Sequence, residues 1–303
     1  MTRYRDRYEE IYKILTRAEL QSGANDFDDL VLGPDLFGAD RHRWLRFYTH
    51  DGLRIAMEKY GFYRELERMG FRELRLETRT EDPSEHLLRL WSLDPIAPEP
   101  LVELVVHRDI IFGGIPVLNV QWLRLQNPLG DWPSSRPPLP GQRYPGLGVG
   151  SQVLEMLRNV CHRLQLAGIV TTPSYFHNAV FYSSEFLHID PYFQGTFLAL
   201  CRDLIPQTSN QVAHASWALH WKMVLNSKRE KKPIGWTQKP MLDPIDDRTR
   251  TFFESEDYRK EVQRALVDHD FQVLKKPLHD TLQSRGISPF NREKISTWID
   301  QEE

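Results

Sequence analysis

Three glycines at alternate positions, Gly146, Gly148 and Gly150, are the residues whose type and spacing point most directly to chemistry. They stand immediately before an amphipathic segment, 151–166, whose apolar side chains recur at helical spacing. Glycines ahead of a helix let the backbone take positive φ and bring its N–H groups close to a ligand. The first turn of a helix adds unpaired N–H donors and the positive end of the helix dipole. The pattern therefore predicts an anion site, and phosphate is the natural anion at such a turn.

Two common phosphate-binding loops do not fit this stretch. A P-loop needs Gly-Lys followed by Ser or Thr, but the residue directly before Ser151 is a glycine and not a lysine. A dinucleotide fingerprint needs GxGxxG directly after a strand and an acidic residue about 20 positions later, whereas the residues before Gly146 are rich in proline. The spacing that does fit is R-x-x-G-x-G, which runs from Arg143 to Gly148. The alternative is a glycine turn that only lets a helix pack tightly on a sheet.

The order of elements around this loop resembles the GNAT superfamily of N-acetyltransferases. In that family a Q/R-x-x-G-x-G/A loop binds the pyrophosphate of coenzyme A and leads into a helix, a strand and a short helix bearing Asn and Tyr. The same succession appears here as the loop 143–150, a predicted helix 151–166, a predicted strand 168–172 and the segment 177–182. The resemblance implies a mixed α+β fold whose mostly antiparallel central sheet is flanked by helices, with helical extensions at both ends of the chain.

The resemblance also implies a function, the transfer of an acyl group from acetyl-CoA or another acyl-CoA to an unidentified amine by direct attack. That reaction needs a clamp for the diphosphate, a donor for the thioester oxygen, a base for the ammonium and an acid for the thiolate. The implied cofactor-binding residues are Arg143, Gly146, Leu147, Gly148, Val149, Gly150 and Ser151 for the diphosphate, the backbone near Leu123 and Leu125 for the thioester oxygen, and Asn178 for the pantetheine arm.

Tyr182 is the acid that the resemblance implies. A phenol with an ordinary pKa near 10 can protonate a thiolate whose thiol pKa is about 8.5 only if the two are held in contact. The family often places Asn and Tyr seven residues apart, whereas Asn178 and Tyr182 are four apart, a spacing that still puts both on one helix face. Two alternatives stay open: Tyr182 as a packing residue, and Asn178 as the cap of a helix over 178–185.

Glu103 and His107, four residues apart on one face of a predicted strand, are the candidates for the base. Glu185 and Asp131 are weaker alternatives. Strands also carry such residues for solubility alone. No HExxH, CxxC or GxSxG motif is present in the sequence, so no metal site and no serine nucleophile are predicted.

An antiparallel meander precedes the loop, as the GNAT fold requires. Its predicted strands are 71–79, 86–92, 101–109 and 116–125. The two helices that the family places between its first and second strands are missing from that position. The leading strand therefore lies within 41–50, or the N-terminal extension has replaced it.

A proline-rich insertion, 126–142, separates the last strand of the meander from the glycine loop. Its five prolines favour a stiff, extended backbone. Because it springs from the rim of the proposed acyl site, our hypothesis is a lid or a flap that binds the acceptor. A surface excursion without a role is the alternative.

The composition is ordinary for a soluble globular chain of 303 residues, with 40% hydrophobic and 27% charged residues and a net charge of −3. Nothing in it demands a polyanionic partner, so we expect no nucleic acid binding. The N-terminus lacks the apolar core of a signal peptide, and no run approaches the roughly 18 apolar residues of a membrane span. We therefore expect a cytoplasmic protein that does not bind membranes, with Cys161 and Cys201 as buried thiols.

The remaining segments are predicted mostly as helices. Helices are expected over 3–20 and 50–69, a loop over 24–40, a strand over 194–204 paired with 185–190, a helix over 209–225 buried on the sheet or in a homodimer, a linker over 233–247, a helix over 258–269 and a last helix from about 288. The expected division is an N-terminal helical extension (1–49), a GNAT-like acyl-CoA-binding core (50–205) and a helical C-terminal extension (206–303).

Three functions stay open at this point. An acyl-CoA-dependent N-acyltransferase is favoured by the resemblance. A binding or regulatory module of the same fold would hold acyl-CoA without turning it over. A structural or partner-binding protein would use its glycine turn only for packing.

Overall fold

The computed structural model describes residues 2–23, 42–82, 84–229 and 232–299. They form a mixed α+β fold with a seven-stranded, mostly antiparallel sheet and flanking helices, which confirms the predicted fold class at that level. The chain divides into two compact units. The first is made of Met1–Leu129 and Gly146–Ile169, and the second of Gly130–Pro145 and Val170–Glu303.

The first unit contains the predicted meander and the helix that follows the glycine loop. Its helices are α1 (Thr2–Ile14), α2 (Arg17–Leu20), α3 (His50–Lys59), α4 (Phe62–Arg68) and α5 (Gly150–Leu164). Its strands are β1 (Arg72–Arg79), β2 (His86–Asp94), β3 (Val102–Ile111) and β4 (Ile115–Leu125), and β5 (Gly168–Thr171) begins in it. Strands β1 to β4 pair antiparallel, each with the next. The four predicted strands, the helix after the loop and the strand after that helix are confirmed.

Each of the two helices predicted before the meander is interrupted. Thr16 begins α2 with a capping box, in which its hydroxyl accepts from the Glu19 N–H at 3.2 Å while the Glu19 carboxylate accepts from the Thr16 N–H at 2.8 Å. Gly61, at φ 76°, separates α3 from α4. The prediction of one continuous helix over 3–20 is therefore wrong, because a local cap ends a helix that periodicity alone would continue. The helical region predicted over 50–69 is present as two helices.

Helices α3 and α4 stand directly before β1. The strand considered within 41–50 is not formed in the part that the structure describes, residues 42–50, where Trp44 and Tyr48 make one isolated bridge. The loop predicted for 24–40 lies outside the described residues.

The N-terminal helix α1 is held against α5 by side chains that reach its backbone. The Asn159 amide donates to the Tyr8 carbonyl at 3.2 Å, and the Arg163 guanidinium donates to the Tyr12 carbonyl at 2.9 Å. Arg163 also lies over the Tyr12 ring, 4.5 Å from its centroid. These contacts fix the position of α1 within the first unit.

The second unit is mainly helical. Its helices are α6 (Phe176–Tyr182), α7 (Pro191–Gln207), α8 (Val212–His220), α9 (Asp247–Glu254), α10 (Glu256–Asp268), α11 (Lys275–Ser284) and α12 (Arg292–Ser296). Strand β6 (Leu187–His188) pairs with β9 (Met241–Pro244), and β7 (Val224–Asn226) lies between β8 (Pro233–Ile234) and β10 (Phe271–Val273) in a three-stranded sheet.

The strand predicted over 194–204 is wrong, because this stretch belongs to α7. Asp190 caps the helix by accepting from the Phe193 N–H at 3.1 Å, and Pro191 occupies its first turn, where a missing N–H costs nothing. Phe197 and Leu204 are fully buried, so the apolar run is the inner face of a helix. Cys201 is therefore on a helix, and 185–190 pairs through β6 with β9 instead.

Three further predictions in this unit need correction. The helix expected over 209–225 ends at His220, because Lys222 takes a φ of 55° and β7 follows. The stretch 233–247, predicted as a linker, contains β8 and β9. The last helix begins at Arg292, where the Asn291 side chain caps it. Strands of two to four residues are too short to show a period-two pattern, which explains why they were missed.

Candidate functional site

The glycine turn is fixed to the end of β4 by its apolar residues. The Leu147 N–H donates to the Leu125 carbonyl at 3.3 Å, and Gly146 forms an antiparallel bridge with Gln126. The side chains of Leu147 and Val149 are 5% and 2% exposed, so both point into the core of the first unit. Alternation along the turn then directs the glycines outward. The structure thus explains the GLGVG pattern as two apolar anchors between three outward glycines.

Gly148 is the residue of the turn whose conformation requires glycine. Its φ is 75°, in the left-handed region that L side chains rarely adopt, and it is exposed. No other atom lies within 4 Å of the place where its Cβ would be. The space over Gly148 is therefore open to a ligand.

The start of α5 has backbone donors without partners. Val149 occupies the cap position but contributes no side-chain cap, and the first turn contains no acidic residue. Within the described ranges, no hydrogen bond engages the N–H groups of Gly148, Val149, Gly150 or Ser151, whereas the Leu147 N–H is bonded to Leu125. These amides lie at the positive end of a 15-residue helix, where negative charge is favoured.

The end of β4 lies beside this turn. Leu123 and Leu125 pair with Leu104 and Val102 of β3, and both are half-buried. The register between β3 and β4 shifts between Val105 and Val106, which increases the local twist of the pair. The structure therefore brings Leu125 of the predicted oxygen-donor region into contact with the predicted diphosphate clamp.

Glu103, a predicted base, lies in a ladder of alternating charges that we call the charge ladder: Glu77 on β1, Arg89 on β2, Glu103 on β3 and Arg124 on β4. Each residue stands opposite the next in the strand register. Glu103 accepts from Arg89 Nε at 2.6 Å and from Arg124 Nη2 at 3.4 Å. Its side chain is 12% exposed. Both of its oxygens are therefore already engaged by guanidinium groups, which it would have to leave to accept a proton.

His107, the other predicted base, is less engaged. Its Nε2 is 3.7 Å from Asp109 Oδ2, and its Nδ1 is buried without a hydrogen-bond partner among the described residues. The Asn119 amide, which donates to Asp109 at 3.0 Å, lowers the pKa of that carboxyl. Of the two candidates, His107 is the one without an arginine partner among the described residues.

Asn178 and Tyr182 lie four residues apart on α6, in the second unit. Tyr175 occupies the cap position of α6, so Asn178 is inside the helix and the prediction of a helix over 178–185 capped by Asn178 is wrong. Burial raises the pKa of Tyr182, whose ring lies 5.4 Å from Phe186. A phenol with a raised pKa keeps its proton and is a weaker acid than an ordinary tyrosine.

Of the other predicted residues of the second unit, Arg143 and Asp131 are exposed and Glu185 is half-buried. Arg143 is exposed, with its guanidinium 5.4 Å from the centre of the Tyr144 ring. Asp131 accepts a hydrogen bond from Arg292. Glu185 donates its backbone N–H to the Tyr182 carbonyl at 3.0 Å.

The proline-rich insertion is anchored within the second unit over 130–142. The buried Trp217 indole donates to the Pro138 carbonyl at 3.0 Å. Gly141, at φ 74°, lies so close to the Tyr175 ring that a Cβ there would be 2.4 Å from Cε2. Deleting this segment would therefore expose Trp217, and the flap hypothesis is better tested by single substitutions.

A buried histidine–serine pair lies in the same unit. His177 Nδ1 is 2.8 Å from Ser216 Oγ, and burial lowers the pKa of His177 to about 3. Ser216 is 2% exposed. A base with so low a pKa would activate the serine poorly at neutral pH, so we assign the pair a structural role. Sequence reasoning missed it because the two residues are 39 positions apart.

Among the residues that the structure describes, no group of three or more His, Cys, Asp and Glu side chains is placed to hold a metal ion. None of the described helices is long and apolar enough to cross a bilayer.

Comparison with known proteins assigns no family to the chain. No protein-family model matches it, and no curated protein matches it either.

Proposed function

We propose that this protein binds an acyl-CoA at the Gly148–Ser151 amides and transfers the acyl group to an amine. The observation that carries the proposal is the set of backbone donors at the start of α5 that have no hydrogen-bond partner within the described ranges. The order of meander, loop, helix and strand supports it by its resemblance to the GNAT superfamily.

The chemistry of a diphosphate suits this turn. Each phosphate oxygen accepts hydrogen bonds from N–H groups, and charge-assisted bonds of this kind contribute about 1.5 to 3 kcal/mol each. The positive end of α5 adds attraction for negative charge, and no acidic side chain in the first turn opposes it. The neighbouring end of β4 would lie beside the arm that follows the diphosphate.

In the proposed reaction the neutral amine attacks the thioester carbonyl carbon. A C–N bond forms, the C–S bond breaks, one amine proton passes to a base and the CoA thiolate receives a proton from an acid. His107 stays the predicted base, because Glu103 is engaged by two arginines. Tyr182 stays the predicted acid.

Calorimetric titration with acetyl-CoA, and in parallel with octanoyl-CoA, tests the binding step. We expect saturable one-to-one binding of at least one of them. Release of free thiol, measured with a colorimetric thiol reagent over a panel of amines, then tests transfer. Absence of saturable binding to both thioesters would refute the proposal and leave the turn as a packing feature.

A non-catalytic acyl-CoA-binding module is the second candidate. The observation that favours it is the engagement of Glu103 by two arginines, which removes one of the predicted bases. Binding without amine-dependent thiol release would select this candidate over the enzyme.

A further inference from the structure

A basic cleft lies in the first unit between α1, α4 and the first turn of α5. Its volume is about 360 Å³, within the range of small-molecule sites. We call it the arginine cleft. The lining residues are Tyr4, Arg7, Tyr8, Tyr60, Gly61, Arg64, Glu65, Arg68 and Gln152.

The charges of the arginine cleft are unbalanced. Arg68 pairs with Glu65 at 3.1 Å, the one acidic residue among those lining the cleft. Arg7 and Arg64 form no ion pair or hydrogen bond with any other residue that the structure describes. The wall therefore has a surplus of two positive charges, although the whole chain has a net charge of −3.

Gln152 places a buried amide in the wall of the cleft. Its side chain is only 5% exposed, and its carboxamide oxygen has no partner among the described residues. A buried amide oxygen without a partner is costly, and native structures rarely leave one. Because a carboxamide carries both an oxygen and an NH₂ group, Gln152 can turn its N–H groups towards an anion in the cleft.

The tyrosines give the cleft a neutral wall. Burial raises the pKa of Tyr8 to about 12 and that of Tyr60 to about 12, so both phenols keep their protons. Their rings lie 4.8 Å apart between centroids. The Asn159 amide, which holds α1 against α5, also donates to the Tyr60 hydroxyl at 3.1 Å. The two tyrosines are thereby fixed in position, and they are only 2% and 7% exposed, so they form a rigid, neutral part of the wall.

We propose that the arginine cleft binds the dianionic phosphate of a phosphomonoester. A phosphomonoester has a charge of about −1.5 to −2 at neutral pH, which matches the surplus on the wall. Guanidinium groups bind phosphate through paired N–H bonds, and the Gln152 amide supplies a further donor. The half-buried Tyr4 in the cleft wall is the ring that can contact the organic part. Two sources offer this chemistry, a free phosphorylated small molecule and the 3′-phosphate of coenzyme A.

Titration of the full chain with phenyl phosphate tests the site, with benzoate as a ligand that keeps the ring but has one charge. We expect saturable binding of phenyl phosphate, weakened about tenfold by Arg64→Gln and by Arg7→Gln. Arg75→Gln, an exposed arginine of β1 outside the cleft, removes the same charge and should change the affinity less than twofold. We expect benzoate to bind about tenfold more weakly than phenyl phosphate.

No saturable binding, equal weakening by Arg75→Gln, or equal affinity for benzoate would overturn the proposal. A comparison of coenzyme A with its 3′-dephospho form identifies the source. If the 3′-phosphate occupies the cleft, the preference for coenzyme A disappears in Arg64→Gln and phenyl phosphate competes with it. If a free phosphorylated molecule occupies the cleft, phenyl phosphate binds equally well in the presence of coenzyme A. Either pattern supports the site.

Discussion

The glycine turn and the charge ladder lie in the same unit. The turn and Glu103 of the ladder were predicted as parts of one site, yet among the described residues the structure leaves the polar groups of the first without partners and engages those of the second. The amides of Gly148 to Ser151 have no partners within the described ranges, whereas Glu103 is engaged by two guanidinium groups. A polar group of a suitable type can bind a ligand or transfer a proton only if the fold does not already engage its atoms in hydrogen bonds. The turn meets that condition, and the charge ladder does not.

A negative charge placed on the turn should have the largest effect on binding. Gly148→Glu puts a carboxylate among the amides, so we expect the affinity for acetyl-CoA to fall by a factor on the order of 100. Gly113→Glu is the matched control, because Gly113 has a φ of 74° and open space around its Cβ position, like Gly148. Titration calorimetry of both variants gives the answer. Equal affinities would place the ligand elsewhere.

Breaking the charge ladder should affect stability. Glu103→Gln leaves Arg89 and Arg124 without their shared carboxylate, and we expect the free energy of unfolding to fall by about 2 kcal/mol. The arginine side chains are 28% and 35% exposed, which keeps the loss below that of a fully buried pair. Urea denaturation measures it, with the exposed Glu85→Gln as the control. Unchanged stability together with lost turnover would instead identify Glu103 as the base.

The second unit offers a third kind of polar group, buried and closed to ligands. Burial lowers the pKa of His188 to about 4, and its ring packs on Phe193 and Phe197. The unfolded chain takes up a proton near pH 6.5 and the folded chain does not until about pH 4, so stability falls as the pH drops through this window. The loss from pH 7 to pH 5.5 is about 1 kcal/mol.

His188→Phe removes this titration. We expect the free energy of unfolding of the variant to depend less on pH over the same interval, by about 1 kcal/mol. Urea denaturation at the two pH values measures the difference. An identical pH dependence in both proteins would mean that His188 does not control acid sensitivity.

The smallest expected effect separates backbone strain from ligand binding. Gly148→Ala and Gly113→Ala both place a Cβ at positive φ, so each should lower the free energy of unfolding by about 1 kcal/mol. Only Gly148→Ala should also weaken binding of acetyl-CoA, by a few-fold. Thermal denaturation and calorimetry of the pair test this, and a larger binding loss in Gly113→Ala would contradict the assignment of the turn.

The first unit could be predicted from sequence where its patterns are long and local. Strands β1 to β4 span eight to eleven residues, long enough for alternation to be visible, and the glycines mark the start of α5 directly. The strands of the second unit are only two to four residues long, which is too short for alternation to be recognised in the sequence. The apolar run of α7 fits a strand as well as a helix. The cap at Asp190 and the proline at 191 are the features that favour the helix.

The candidate site was predictable only in part, because engagement depends on contacts between distant residues. Arg89 and Glu103 are 14 positions apart and meet only through the register of β2 and β3. The arginine cleft combines Arg7, Arg64 and Gln152 from three helices. Nothing in the local sequence of any of these residues indicates its neighbours.

The course of the chain through the two units has a consequence for biosynthesis. The segment Gly130–Pro145 belongs to the second unit, and the chain then returns to complete the first with Gly146–Ile169. On the ribosome the meander therefore emerges well before α5, the helix that its unit still lacks. Likewise, the hydrogen bond between Pro138 of the segment 130–145 and Trp217 cannot form until Trp217 has been synthesised. A pause in translation after the meander and before α5 would prolong the time for which the apolar face of the meander is accessible to chaperones.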